Sequence, residues 1–218
     1  MDWDRAIERN REALSAIVTA LFVLVAGARF AGPGMLLPRR VWLMVLMVLR
    51  PAEAAVRRLV IIAARALAPV SVRRRAAPDF EIPRAVLPRE PVFALFDPLK
   101  DTHFGDDDPV WQHVLPGGSA FTGNDEARLD EPLDGSLLHL RLRALRHALA
   151  DLGNQARRLA RWQARRDAAL KACRPTRLSP MRPGLPPGWR QRRIHEIDDV
   201  LRECHGLAND LLNAPDTG

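Results

Sequence analysis

Apolar positions along the chain change their period several times, and each change marks an element. From Ala13 to Ala28 (ALSAIVTALFVLVAGA) sixteen consecutive residues carry no charge. Leu14, Ile17, Val18, Leu21, Phe22 and Val25 repeat at steps of three and four, the spacing of one helix face. Ala16, Val23 and Ala26 make the opposite side apolar too, so this helix is hydrophobic nearly all round. Residues 2–12 (DWDRAIERNRE) supply its polar first turns, with Asp2 or Asp4 as cap, and Gly32-Pro33-Gly34 predicts its end. A second apolar run, Val41–Leu49 (VWLMVLMVL), closes at Arg50-Pro51, because the position before proline disfavours α geometry. Pro51 suits the first position of a new helix, and Glu53 suits its first turn. That helix is predicted to about Leu67, with Val56, Leu59, Val60, Ala63 and Leu67 as its apolar stripe and Arg57, Arg58 and Arg65 as polar neighbours.

Residues 69–135 lose the long period and hold nine prolines, from Pro69 to Pro132. Val92–Phe96 and Val110–Leu115 are short strand candidates, a pair that needs helices to lean on. The clearest helix follows, from Ser136 to about Ala172, capped by Asp134 or Ser136. Leu138, Leu142, Leu145, Leu149, Leu152, Ala156 and Leu159 make a heptad seam along it. Ten Arg or Lys lie between Arg141 and Arg174, against Asp151 and Asp167. Pro175 stops this helix, and a connector rich in proline and arginine leads to a last amphipathic helix. Ile194, Ile197, Val200, Leu201, Cys204, Leu207, Ala208, Leu211 and Leu212 line its apolar face, and Glu196, Asp198, Asp199, Glu203 and Asp210 make it acidic. Opposite charge predicts an antiparallel hairpin of these two helices, held by Leu142, Leu149 and Leu159. In that register Cys173 and Cys204 lie several turns apart and form no disulfide. The expected fold is mainly α: a membrane-associated helical region (1–68), a proline-rich irregular region with at most a short β-hairpin (69–135), and a charged helical hairpin (136–218).

The uncharged run admits three readings. A bilayer core about 30 Å thick takes roughly 20 apolar residues, which the run reaches if Arg29 snorkels. A cleaved signal peptide has in its favour the small-x-small Ala26-Gly27-Ala28, but Asp2, Asp4, Glu8 and Glu12 precede the run where a positive start is needed. A buried core helix fits the periodic face. The membrane-embedded helix is the reading adopted. Residues 29–75 then contain ten arginines against Glu53 alone, which places the bulk of the chain on the cytoplasmic side of the membrane. Val41–Leu49 is too short to cross and is expected in plane or re-entrant. The helix from Pro51 reads either as interfacial or as a surface helix on the protein's own core.

Net charge of +7 and a pI near 10.9 rest on arginine, since lysine occurs only at Lys100 and Lys171. GC-rich codon usage explains part of such an excess. The remainder points to anionic lipid, an acidic protein or nucleic acid as partner. Two cysteines make neither a disulfide framework nor a metal set and suit a reducing compartment.

Candidate chemistry is sparse. His103, Asp106, Asp107, Asp108 and His113 are metal-ligating types, but no spacing fixes them together. Cys204 and His205, like His195 and Glu196, are adjacent on a helix and point about 100° apart, which is wrong for a nucleophile and its base. No glycine pattern cradles a phosphate. The sequence therefore predicts no enzyme, cofactor or metal. Arg157–Arg166 with Trp162 has the residue types of a nucleic-acid binder, arginines for phosphates and an aromatic for stacking. A self-packing basic face explains the same stretch, and Arg157, Arg158, Arg161, Trp162 and Arg165 are its candidate partner-binding residues.

Five blocks, DWDRAIERNREAL, LRPAEAAVRRLVIIAARAL from Leu49, FALFDPLK from Phe93, QARRLARW from Gln155 and SPMRPGLPPGWRQRRIHEIDDVLRECHGLA from Ser179, resemble a family of uncharacterised alphaproteobacterial proteins. The resemblance implies no activity. The function expected is that of a non-enzymatic anchor or adaptor that presents a basic hairpin to an acidic partner. The alternative is a soluble nucleic-acid-binding protein with the first helix as its core.

Overall fold

The computed structural model describes residues 2–28, 34–65, 67, 91–98, 130–174 and 179–213. The fold is mainly α. In order along the chain, the described elements are α1 (Trp3–Gly27), β1 (Leu36–Pro38), α2 (Arg39–Arg65), β2 (Pro132–Asp134), α3 (Ser136–Ala150), α4 (Leu152–Lys171) and α5 (Glu196–Asn213). Helix α2 is the hub, packing against α1, α3, α4 and α5. The antiparallel β1–β2 ribbon pairs Leu36 with Asp134, Leu37 with Leu133 and Pro38 with Pro132. Because α2 and α3 each start at a strand of this ribbon, it holds their N-termini side by side. Gly135 rather than the expected Asp134 or Ser136 occupies the N-cap of α3 and brings no side-chain cap, while the Asp134 carboxylate just before it accepts from the Ser136 N–H at 2.8 Å.

The Asp2 carboxylate caps α1 by accepting from the Arg5 N–H at 3.1 Å. Leu14, Ile17, Val18, Leu21 and Val25 are its buried stripe. The outer face of the uncharged run stays exposed, with Val23 at 68%. This is the one described helix long and apolar enough to cross a membrane, and it lies near the N-terminus.

The sequence placed a break at Arg50-Pro51, whereas α2 runs unbroken through Pro51. A proline there removes the N–H that would serve the Met47 carbonyl. The Arg190 guanidinium donates to that carbonyl instead. Gly188 sits beside Pro51 with φ +78°, and a Cβ on it would meet the proline ring at 2.7 Å. The connector is thus fitted to the defect in α2. The expectation of an interfacial or surface helix from Pro51 is also corrected, since α2 is the most enclosed helix and both Arg57 and Arg58 are buried.

The helix expected over Ser136–Ala172 breaks at Asp151, whose side chain accepts from the Asn154 N–H at 3.0 Å and caps α4. The expected hairpin is replaced by a different packing: α4 and α5 each dock on α2 rather than chiefly on each other. The acids of α5 find nearer arginines. Glu203 pairs with Arg9 of α1, Asp198 with Arg190 at 3.0 Å and Asp199 with Arg193 at 2.9 Å. Leu142, Leu149 and Leu159 are buried in the core shared by all five helices. Packing therefore crosses the expected boundaries at 68 and 135. Val92–Phe96 forms no strand with any described residue, and Val110–Leu115 lies outside the described residues.

Two glycines test this packing in opposite directions by urea denaturation. Gly188→Ala should lose about 2 kcal/mol or more, from a positive φ and contact with Pro51. Gly206→Ala, in the exposed interior of α5 with no atom near its new methyl, should gain about 0.5–1 kcal/mol.

Candidate functional site

On α4 the candidate residues divide between two faces. Arg157, Arg161 and Arg165 recur every four residues and form an exposed row. Arg157 and Arg161 make no ion pair with any described residue, and the Arg165 Nε donates to the Arg161 carbonyl at 3.2 Å. Arg158 turns inward, donating to the Phe93 carbonyl at 3.4 Å and to the Gln155 side chain. Trp162 is half-buried, edge-on to Phe96 at 5.0 Å, with the Arg166 guanidinium 5.5 Å from its ring centre. The aromatic that sequence reasoning offered for base stacking is already engaged on the protein's own side chains.

A second cluster escaped the sequence reading. Arg58 and Asp97 are both fully buried and joined by two contacts, Nη2 to Oδ2 at 3.0 Å and Nη1 to Oδ1 at 3.4 Å. Arg57 reaches the same carboxylate at 3.5 Å, donates to the Ala94 carbonyl at 3.0 Å and contacts Glu53 at 3.5 Å. Arg141 of α3 closes the cluster with two 2.9 Å contacts to Glu53. Burial pulls the Arg57 pKa down, and the carboxylates of Glu53 and Asp97 pull it back. The available signals were two arginines beside an aliphatic stripe, Glu53 at i−4 from Arg57, and one carboxylate ending the apolar FALFD.

His205 extends this cluster: Arg58 Nε donates to its Nδ1 at 3.3 Å, and Asn209 lies 3.2 Å from Nε2. Burial lowers the His205 pKa, and the charge of Arg58 lowers it further against Asp97. Burial pushes the Cys204 thiol far above its usual range. His195 serves the start of α5, where its Nδ1 accepts from the Ile197 N–H at 3.1 Å.

No protein-family model, curated protein or solved structure matches this chain. Among the described residues no group of three or more His, Cys, Asp or Glu is placed to hold a metal. His103, Asp106, Asp107, Asp108 and His113 lie outside the described residues. A cleft of about 390 Å³ opens between α1 and the end of α3, bordered by Arg11, Ser15, Thr19 and Arg146.

The buried cluster makes two predictions. Arg58→Met should cost about 3–5 kcal/mol in chemical denaturation, because it strands the Asp97 carboxylate without its closest partner. His205 has a folded pKa below its unfolded value near 6.5, so the folded state binds fewer protons. Its contribution is fully present above about pH 6.5 and is lost as pH falls through the folded pKa. His205→Gln should flatten the stability loss between pH 7.5 and pH 5, measured as the urea midpoint.

Proposed function

We propose that this protein is a non-enzymatic anchor or adaptor at a bacterial inner membrane, with most of the chain on the cytoplasmic side. Helix α1 provides the attachment, and the Arg157–Arg161–Arg165 row on α4 faces an acidic partner. The observation that carries this reading is the outer face of α1. Only about a third of its apolar window is buried inside the fold, and Ala16, Thr19, Ala20, Val23 and Ala26 face outward without a charge among them. Small residues give little transfer energy each, so the attachment rests on the whole uncharged length of α1. Basic residues near an anionic leaflet add about 1 kcal/mol apiece. With Arg57 and Arg58 buried, the other arginines of residues 29–75 contribute to that attraction and favour the cytoplasmic orientation. With the hairpin replaced by separate docking of α4 and α5, the basic row of α4 takes over the role of partner surface.

The second reading, a soluble nucleic-acid-binding protein, draws on the inner face of α1, which packs on α2, α3 and α5 as a core helix does. Membrane fractionation with a high-salt wash followed by alkaline carbonate separates the two. The full-length chain is expected in the pellet after both washes. Release by salt alone would reduce the attachment to surface arginines. A wholly soluble protein retained on DNA or RNA, with retention falling steeply with salt, would replace the anchor reading by the second.

A further inference from the structure

The exposed, uncharged face of α1 leads into the cleft of about 390 Å³ between α1 and α3. The cleft has an apolar floor, with Val18 1% and Leu149 3% exposed. Its walls carry Arg11, Glu12, Ser15 and Thr19 of α1 and Arg146 of α3. These polar groups differ in how far the fold already uses them. Arg11 is answered by Glu8 through contacts of 3.0 and 2.6 Å. The Thr19 hydroxyl donates to the Ser15 carbonyl at 2.8 Å, which leaves its oxygen as an acceptor. The Arg146 guanidinium lies 4.5 Å from the Phe22 ring centre, an attraction that steadies it without spending its N–H donors. Glu12 acts on Arg11 only at longer range. Among the described residues neither Arg146 nor Glu12 forms an ion pair, with the other or elsewhere, although both line the same cleft.

We infer that this cleft is a headgroup site for a phospholipid that carries a primary amine, of the phosphoethanolamine class. The inference rests on the membrane attachment proposed above and names the lipid that attachment takes. Such a headgroup has one negative charge on its phosphodiester and one positive charge on its ammonium, a few bonds apart. The cleft offers the complement, one unpaired guanidinium and one unpaired carboxylate on opposite helices. Arg146 takes the phosphate oxygens, and the Ser15 hydroxyl is a further donor to them. Glu12 takes the ammonium, with Thr19 Oγ1 as a second acceptor for its N–H groups. The apolar floor of Val18 and Leu149 suits the methylenes between the two charges, and the acyl chains continue along Ala16, Ala20 and Val23 on the outer face of α1. Basic pockets between helices at headgroup depth are how embedded proteins hold individual lipids. Glu12 sets the choice among them. A quaternary ammonium has no N–H to give it, and a purely anionic headgroup brings no charge to offset it.

The test uses the full-length protein in a mild non-ionic detergent, incubated with short-chain phosphatidylethanolamine or phosphatidylcholine and read by native mass spectrometry. Wild type should retain phosphatidylethanolamine at least about fivefold better than phosphatidylcholine, the scale of hydrogen bonds to one carboxylate. Glu12→Gln should bring phosphatidylethanolamine down to the phosphatidylcholine level, and Arg146→Gln should weaken retention of both. Both side chains are exposed, so both variants should keep wild-type helical circular dichroism. The inference is overturned if wild type retains the two lipids equally, if Glu12→Gln keeps the preference, or if Arg146→Gln retains phosphatidylethanolamine as wild type does. Soluble phosphoethanolamine bound as tightly as the lipid would overturn the lipid as occupant. Alkaline-carbonate fractionation of the same proteins separates this failure from that of the anchor reading. A chain that stays in the pellet without any lipid preference keeps α1 as an anchor and loses the cleft as a site, whereas a wholly soluble chain loses both.

Discussion

A guanidinium buried in the middle of an aliphatic helix imposes a requirement that the rest of this chain is arranged to meet. Arg58 lies on α2 among Val56, Leu59 and Val60, where solvation by water is lost and an unpaired charge is prohibitive. Asp97 supplies the counter-charge from a segment distant in sequence, the Ala54 carbonyl takes another N–H at 2.8 Å, and His205 takes a third from α5. One side chain therefore ties together α2, residues 91–98 and α5. Such ion pairs add little net stability over an apolar replacement. Their consequence here is specificity, because alternative packings of the same apolar faces would leave Arg58 without partners.

The proline in α2 creates a second requirement of the same kind. Removing the donor to the Met47 carbonyl would leave a buried backbone acceptor unsatisfied, and Arg190 fills that place while also pairing with Asp198. Asp198 in turn accepts from the N–H groups of Ile194 and His195 at 2.9 and 3.0 Å, fixing the entry to α5. Gly188 permits the close approach to Pro51 that puts Arg190 in reach. The irregular connector is thus specified by hydrogen-bond satisfaction and steric fit more than by apolar burial.

These internal demands account for much of the arginine excess. Arg57, Arg58, Arg141, Arg158 and Arg190 are engaged inside the fold, and Arg9, Arg39, Arg40 and Arg193 pair with acids nearer the surface. The exposed row on α4 is one basic surface left over among the described residues. The outer face of α1 stands apart from both groups, since its residues are uncharged and no described residue covers them.

What the sequence by itself determined was local. Period and composition placed α1, with Asp2 one of its two candidate caps, the start of α3 within a residue or so of Asp134, the apolar stripe of α5, and a mainly helical class. Local pattern misjudged three places. Pro51 has a helix-breaking propensity that only a donor from residue 190 overrides. Asp151 interrupts a heptad seam that by itself reads as continuous. The basic and acidic helices attract in principle, yet each packs better on the apolar faces of α2 than on the other, because burial rewards contact area while surface charge pairs contribute about 0–1 kcal/mol. The buried charge cluster was least legible of all. It is assembled from residues 53, 57, 58, 97 and 141, which no single period connects, and only the tertiary structure brings an aspartate to a pair of arginines about forty residues away.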